Sequence, residues 1–128
     1  MKICIADSQS RVRYGLRILL EQQPGWQVTG EVTSVNELIE QVRWLPPDLV
    51  LLDLELAGKS LKRLLKSLRA TCPELFVISL SGCYELRQFA FEAGADAFAS
   101  KAEPPEKLIR LIWQHLSSES KVDIETNE

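Results

Sequence analysis

Runs of consecutive aliphatic residues alternate along this chain with longer segments whose aliphatics recur every three or four positions. Residues 2–6, 49–53, 75–80 and 96–100 are short apolar runs, each reading as a strand buried on both faces. Residues 26–32 alternate and read as a further strand, near a sheet edge. Between the strands, Val12, Leu16, Leu19 and Leu20 share one helical face over residues 10–23. Ser34 and Glu37 have capping-box spacing and open a helix carrying Leu38, Ile39 and Val42. Leu61, Leu64, Leu65 and Leu68 stripe a helix over 58–70. Residues 84–93 form another, closed by Gly94 as a left-handed C-cap. Pro104-Pro105 opens a last helix that runs to about residue 116 and buries Leu108, Ile109, Ile112 and Trp113. Pro24-Gly25, Pro46-Pro47 and Cys72-Pro73 stop the elements before them.

The order is five β-α units. Parallel strands joined by right-handed helical crossovers give a doubly wound, three-layer α/β sandwich. The folded domain spans residues 1–117, and the polar stretch 118–128 reads as a disordered tail or linker. A chain of 128 residues suits one domain, and 45% hydrophobic with 26% charged residues is ordinary for a globular protein. A net charge of −3 gives no footprint for direct nucleic-acid binding. No run is long enough to span a membrane and no signal peptide precedes the first strand, so the expected location is cytoplasmic. Cys4, Cys72 and Cys83 lack metal-site or disulfide spacing. His115 reads as an ordinary helix-face residue, and Trp26, Trp44 and Trp113 as partly buried packing. Arg11, Arg13 and Arg17 on one helix, and Lys59, Lys62, Arg63, Lys66 and Arg69 on another, read as solvated helix faces.

The chemistry gathers at the carboxyl ends of the strands, where doubly wound sheets bind ligands. Asp7 and Ser8 follow the first strand, Asp53 ends the third, Ser79 and Ser81 end the fourth, and Lys101 follows the fifth. Four aliphatics, Leu49 to Leu52, deliver Asp53 to that edge. A carboxylate there needs a metal, a lysine or a covalent modification, unless it merely caps the next helix. Phosphoryl chemistry uses all of these types. One carboxylate acts as nucleophile, a second holds Mg²⁺, a lysine offsets charge and a hydroxyl donates to phosphate.

The stretches Arg13-Tyr14-Gly15-Leu16-Arg17, Pro47 to Leu54, Val77-Ile78-Ser79-Leu80-Ser81 and Glu92 to Phe98 resemble a receiver domain of two-component response regulators. The resemblance covers roughly residues 2–116 and is closest to receivers that precede helix-turn-helix DNA-binding domains of the LuxR/NarL type. It implies a flavodoxin-like (βα)5 fold with strand order 2-1-3-4-5. It also implies Asp53 as phosphoacceptor, with Asp7, Asp53 and the backbone carbonyl of Glu55 around Mg²⁺. Ser79 stands at the switch hydroxyl position, Lys101 at the family's lysine and Phe98 at its switch aromatic. The implied partners are a sensor histidine kinase, a second copy through the last helix and strand, and a DNA-binding output outside this chain.

Three positions depart from the family. Ser8 stands where a second acidic residue usually binds the metal. Loss of one carboxylate weakens a divalent site by roughly 1–3 kcal/mol after screening, about tenfold to a hundredfold in affinity. Glu55 is near enough to Asp53 to compensate. The loop Leu56-Ala57-Gly58-Lys59-Ser60-Leu61 lacks the family's usual proline and its later glycine, and Ala102 stands where many receivers have proline. Two readings of the domain stay open: a phosphorylated receiver with a weakened metal site, or a pseudo-receiver that binds partners without accepting phosphate. A small aspartyl-nucleophile phosphatase is a third, but the chain has no room for a cap domain. No G-x-G-x-x-G follows the first strand, which disfavours a dinucleotide site.

Overall fold

In a computed structural model the backbone is described for residues 1–127 and the side chains for residues 1–118. Five parallel strands form one sheet in the order β2-β1-β3-β4-β5. They are β1 (Lys2–Ala6), β2 (Gln27–Val32), β3 (Leu49–Asp53), β4 (Phe76–Ser81) and β5 (Ala97–Ser100). The helices are α1 (Ser10–Glu21), α2 (Val35–Trp44), the single turn α3 (Leu54–Ala57), α4 (Leu61–Thr71), α5 (Arg87–Ala93) and α6 (Pro105–Asn127).

The alternation of side chains along each strand sorts the core into two layers. Cys4, Ala6, Val50, Leu52 and Val77 point to one face, where α2, α4 and α5 bring Leu38, Val42, Leu61, Leu64, Leu65, Leu68 and Ala90. Ile3, Ile5, Leu49, Leu51, Ile78 and Leu80 point to the other, under Leu20 of α1 and Leu108 and Ile112 of α6. All five residues of β3 are buried, as its unbroken apolar run requires.

Local chemistry sets several boundaries. The Ser34 hydroxyl accepts the Glu37 backbone N–H at 3.2 Å, and the Glu37 carboxylate accepts the Thr33 backbone N–H at 3.3 Å. Gly94 ends α5 at φ 110°, a conformation that favours a residue without Cβ. Behind it, Asp96 accepts the Val77 backbone N–H at 2.8 Å and the Arg69 guanidinium at 2.6 Å, tying α4 to the start of β5.

The structure departs from the sequence pattern in five places. The helix expected from residue 58 begins at Leu61, and α3 with a 3₁₀ turn at Gly58–Ser60 fills the gap. The Asp53 carboxylate caps that extra turn by accepting the Glu55 backbone N–H at 3.3 Å. The expected helix at 84–93 opens as a 3₁₀ turn, Tyr84–Leu86, before α5. Edge strand β2 shifts register against β1 between Ile3 and Cys4, leaving Thr29 unmatched between Val28 and Gly30, a bulge. The last helix continues past residue 116 to Asn127. Much of the stretch read as a tail therefore has helical backbone, while its side chains from residue 119 and all of Glu128 lie outside the described residues. Trp26 is buried and packs 4.9 Å from half-exposed Trp113, but Trp44 is 76% exposed rather than packed. His115 stacks on Phe76 at 3.6 Å.

Leu51 is fully buried at the centre of the sheet. Leu51→Ala is expected to destabilise the fold by about 2–5 kcal/mol, read as a lower urea midpoint with the helical circular dichroism of the native state retained in water.

Candidate functional site

Asp7, one residue past β1, and Asp53, the last residue of β3, lie side by side because β1 and β3 are neighbours. Both are buried, at 0% and 2% exposure. Lys101 follows β5, and its backbone N–H donates to the Ser81 carbonyl at 2.8 Å, which pins it to the end of β4. From there its side chain crosses the sheet end. The Nζ lies 2.7 Å from Asp7 Oδ2 and 3.3 Å from Asp53 Oδ1. One ammonium thus serves two carboxylates, and the cluster keeps a residual negative charge.

Each carboxylate has further support. Asp7 Oδ1 accepts the Gln9 backbone N–H at 2.9 Å, and the Asp7 carbonyl accepts the Arg13 guanidinium at 2.8 Å. Arg13 is in turn held by Glu31 at 3.4 Å. Burial and the neighbouring Asp7 push the Asp53 carboxyl up; Lys101 and the Glu55 backbone N–H oppose this without reversing it. Burial alone pushes the Lys101 ammonium down, but the Asp7 hydrogen bond and the charges of both carboxylates leave it raised.

The remaining candidates are arranged differently. Ser79 is fully buried, opposite Leu52 of β3 and Phe98 of β5 in the register. Its hydroxyl donates to the Ala97 carbonyl at 3.1 Å rather than to the acidic cluster. Ser81 Oγ accepts the Cys83 backbone N–H at 3.0 Å and closes the following turn. Ser8 is exposed beside Asp7, and the Glu55 side chain is exposed beyond Asp53. Phe98 is 9% exposed and meets Tyr84 edge-on at 6.0 Å, so it belongs to the core under α5. Gln9, Arg13 and Tyr84 were not among the candidate site residues. Arg13 alone carried a signal, since it sits six residues after Asp7 on the first helix.

The sequence and the sheet ordered 2-1-3-4-5 are matched by known proteins. The family model of the response regulator receiver domain matches residues 3–113. The chain belongs to the response-regulator receiver family. The receiver is 32% identical over 117 residues to the uncharacterized transcriptional regulatory protein YhcZ of Bacillus subtilis, covering 90% of this chain and 55% of that protein. It is 31% identical over 119 residues to the nitrate/nitrite response regulator NarL of Escherichia coli K12, covering 91% and 55%. It therefore spans about half the length of these curated relatives. Among solved structures, a LuxR-family two-component response regulator from Aurantimonas sp. SI85-9A1 superposes with a TM-score of 0.81 at 28% identity, over 91% of this chain and 85% of that one. RcsB of Salmonella enterica bound to promoter rprA shares the fold, with a TM-score of 0.76 at 24% identity, over 88% and 95%. Receivers of this kind are signalling modules that generally bind Mg²⁺ at the phosphorylation site. Among the described residues no helix is long and apolar enough to cross a membrane.

The raised Asp53 carboxyl has a stability consequence. Its folded value lies above its ordinary value of 3.8. Protonation-linked stability is therefore fully present below that ordinary value and is lost as pH rises through the raised one. Asp53→Asn removes the charged form. The variant is expected to have a higher urea midpoint than the parent near neutral pH, and that gain is expected to shrink as pH falls toward 3.8.

Proposed function

We propose that this receiver accepts a phosphoryl group on Asp53 and works as a signalling switch. One observation supports the reading above the others. A carboxylate, 2% exposed at the end of the central strand, lies 3.3 Å from a lysine ammonium. In the transfer, an Asp53 carboxylate oxygen attacks the phosphorus of a sensor kinase's phosphohistidine. An O–P bond forms and the P–N bond breaks. The electron pair returns to the imidazole, which takes up a proton. Lys101 offsets the charge on the transferring group, and the Glu55 backbone N–H holds the attacking carboxylate in place.

Mg²⁺, when bound, supplies positive charge beside the phosphoryl oxygens. Asp7, Asp53 and the Glu55 carbonyl would hold it, with the Ser8 hydroxyl as a weak further donor. These are hard oxygen donors, which suit a cation that keeps several of its waters. The residual negative charge of the cluster favours such a cation. Ser8 makes the site weaker than one with three carboxylates.

Once Asp53 carries phosphate, the Ser79 hydroxyl exchanges its bond to the Ala97 carbonyl for one to a phosphoryl oxygen. A bond to a neutral carbonyl is worth about 0.5–1.5 kcal/mol net and one to a charged group about 1.5–3 kcal/mol, so the new charge favours the exchange. Phe98 lies opposite Ser79 in the register and against Tyr84, so the exchange is felt at the surface beside α5. The result is a population shift between two states of one fold. The setting is cytoplasmic. The output is a second copy docked through β5 and α6, or a DNA-binding domain outside this chain. The chain turns over no substrate of its own, and the exposed Glu55 makes a poor general acid for a phosphatase.

A pseudo-receiver is the second reading. Neutral Ser8, in place of a second acidic residue beside Asp7, favours it. Intact mass after incubation with Mg²⁺ and acetyl phosphate separates the two. The expected result is one phosphoryl adduct, absent in Asp53→Asn; no adduct at high Mg²⁺ would leave the pseudo-receiver. Calorimetric titration tests the metal site. Ser8→Asp is expected to tighten Mg²⁺ binding by about tenfold to a hundredfold. Glu55→Ala with unchanged Mg²⁺ affinity would remove the Glu55 side chain from the donor set.

A further inference from the structure

The basic residues of the Lys59–Arg69 segment divide into two kinds. Arg69 is spent on the fold, bonded to the Gly94 carbonyl and the Asp96 carboxylate at 2.6 Å each. Lys59, Lys62, Arg63 and Lys66 are all exposed. Among the described residues, none of these four has a hydrogen-bond or ion-pair partner. Their spacing of three and four puts them on one solvent-facing stripe about 10 Å long. The opposite face of α4, Leu61, Leu64, Leu65 and Leu68, is locked into the core. Helix α4 contains no acidic residue at all. Like charges at this spacing repel and disfavour the helix, in a chain whose net charge is −3. Among the described residues, Arg13, Arg17, Arg69 and Lys101 are paired with carboxylates, while this stripe is concentrated and uncompensated.

The surroundings limit what can neutralise it. Helix α2 packs on one side of α4 and exposes Glu37 and Glu40; α5 packs on the other and exposes Glu92. A long polyanion lying across α4 meets these carboxylates on both flanks. The apolar side of α4 is unavailable for insertion into a lipid surface. Helix α5 also exposes Phe89 and Phe91, at 40% and 37%. Two residues apart, these rings lie on opposite flanks of α5, so a segment on α4 meets one of them. A short acidic segment with interspersed apolar residues matches both features: carboxylates for the stripe, and an aliphatic or aromatic side chain for that ring.

We propose that the outer face of α4, with one exposed ring of the neighbouring α5, is a docking surface for an acidic, partly apolar segment of a partner protein. This surface is separate from the Asp53 site and does not depend on phosphorylation.

The test uses the full 128-residue chain and a fluorescein-labelled 12-residue peptide that alternates glutamate pairs with leucine pairs. Fluorescence anisotropy is expected to show saturable binding that weakens as salt rises. Lys62→Glu with Lys66→Glu is expected to weaken it at least tenfold. One of Phe89→Ala and Phe91→Ala, and not both, is expected to weaken it a few-fold, and Arg110→Glu on the exposed side of α6 to change it less than twofold. All these positions are exposed, and circular dichroism checks that the fold is kept. Labelled 20-base-pair DNA and phosphatidylglycerol vesicles are the competing probes. Equal loss with Arg110→Glu, absence of saturable peptide binding, or tighter binding of DNA or vesicles through Lys62 and Lys66 would each overturn the proposal.

Discussion

The structure turns on one ammonium shared by two buried carboxylates. Asp7 and Asp53 are brought together by the pairing of β1 with β3, an arrangement set by the apolar core and not by charge. Two carboxylates removed from water at adjacent strand ends repel each other and lose hydration. Lys101 relieves both at 2.7 and 3.3 Å. It starts two strands away from β3, about 10 Å across the sheet, so its side chain has to span the end of β4. That end is built to let it pass: β4 finishes in Ser79 and Ser81, and Lys101 is tethered to the Ser81 carbonyl. The long crossovers of the fold thus converge on a contact between residues 94 positions apart.

Most of the fold was legible because its parts obey simple periodicities. The unbroken run Leu49–Asp53 is buried on both sides, while the bulge at Thr29 interrupts the alternation of edge strand β2 and sends Val28 to one core layer and Val32 to the other. The leucine stripe of α4 marks the face that meets the sheet. The features that sequence missed are local compromises. The α3 turn exists because the Asp53 carboxylate caps it while also facing Lys101, a double duty that no hydrophobic pattern encodes. The shift at Thr29 is a register adjustment between two strands. Either strand alone gives no sign of it.

The site was legible in its membership and less so in its orientation. Chain order puts Asp7, Asp53, Ser79 and Lys101 at the same end of the sheet, because every parallel strand ends there. It does not say which rotamer a hydroxyl takes. Ser79 is next to the Ala97 carbonyl across the β4–β5 ladder, and a buried hydroxyl without a phosphate to serve donates to the acceptor at hand. Phe98 is similar. The family resemblance puts a switch aromatic at Phe98, while its 9% exposure places the ring within the core. Arg13 reads from its sequence as part of a solvated helix face, because the backbone carbonyl of Asp7 that it holds leaves no trace in the side-chain pattern.

Ser8 changes the energetics of this cluster more than its geometry. With a third carboxylate, one lysine would leave two uncompensated negative charges at the sheet end. With serine it leaves one. The metal-free state is less strained as a result, and Lys101 comes closer to neutralising the site by itself. The same substitution lowers the attraction for a divalent cation, since attraction and apo-state repulsion arise from the same charges. Under the phosphoacceptor reading, the receiver then exchanges a tightly held metal for a resting state stabilised by its own lysine. Phosphoryl transfer has to compete with the Lys101 ion pairs as well as with the loss of hydration. On that reading, the decisive quantity is how readily Lys101 yields its place between Asp7 and Asp53 to an incoming cation.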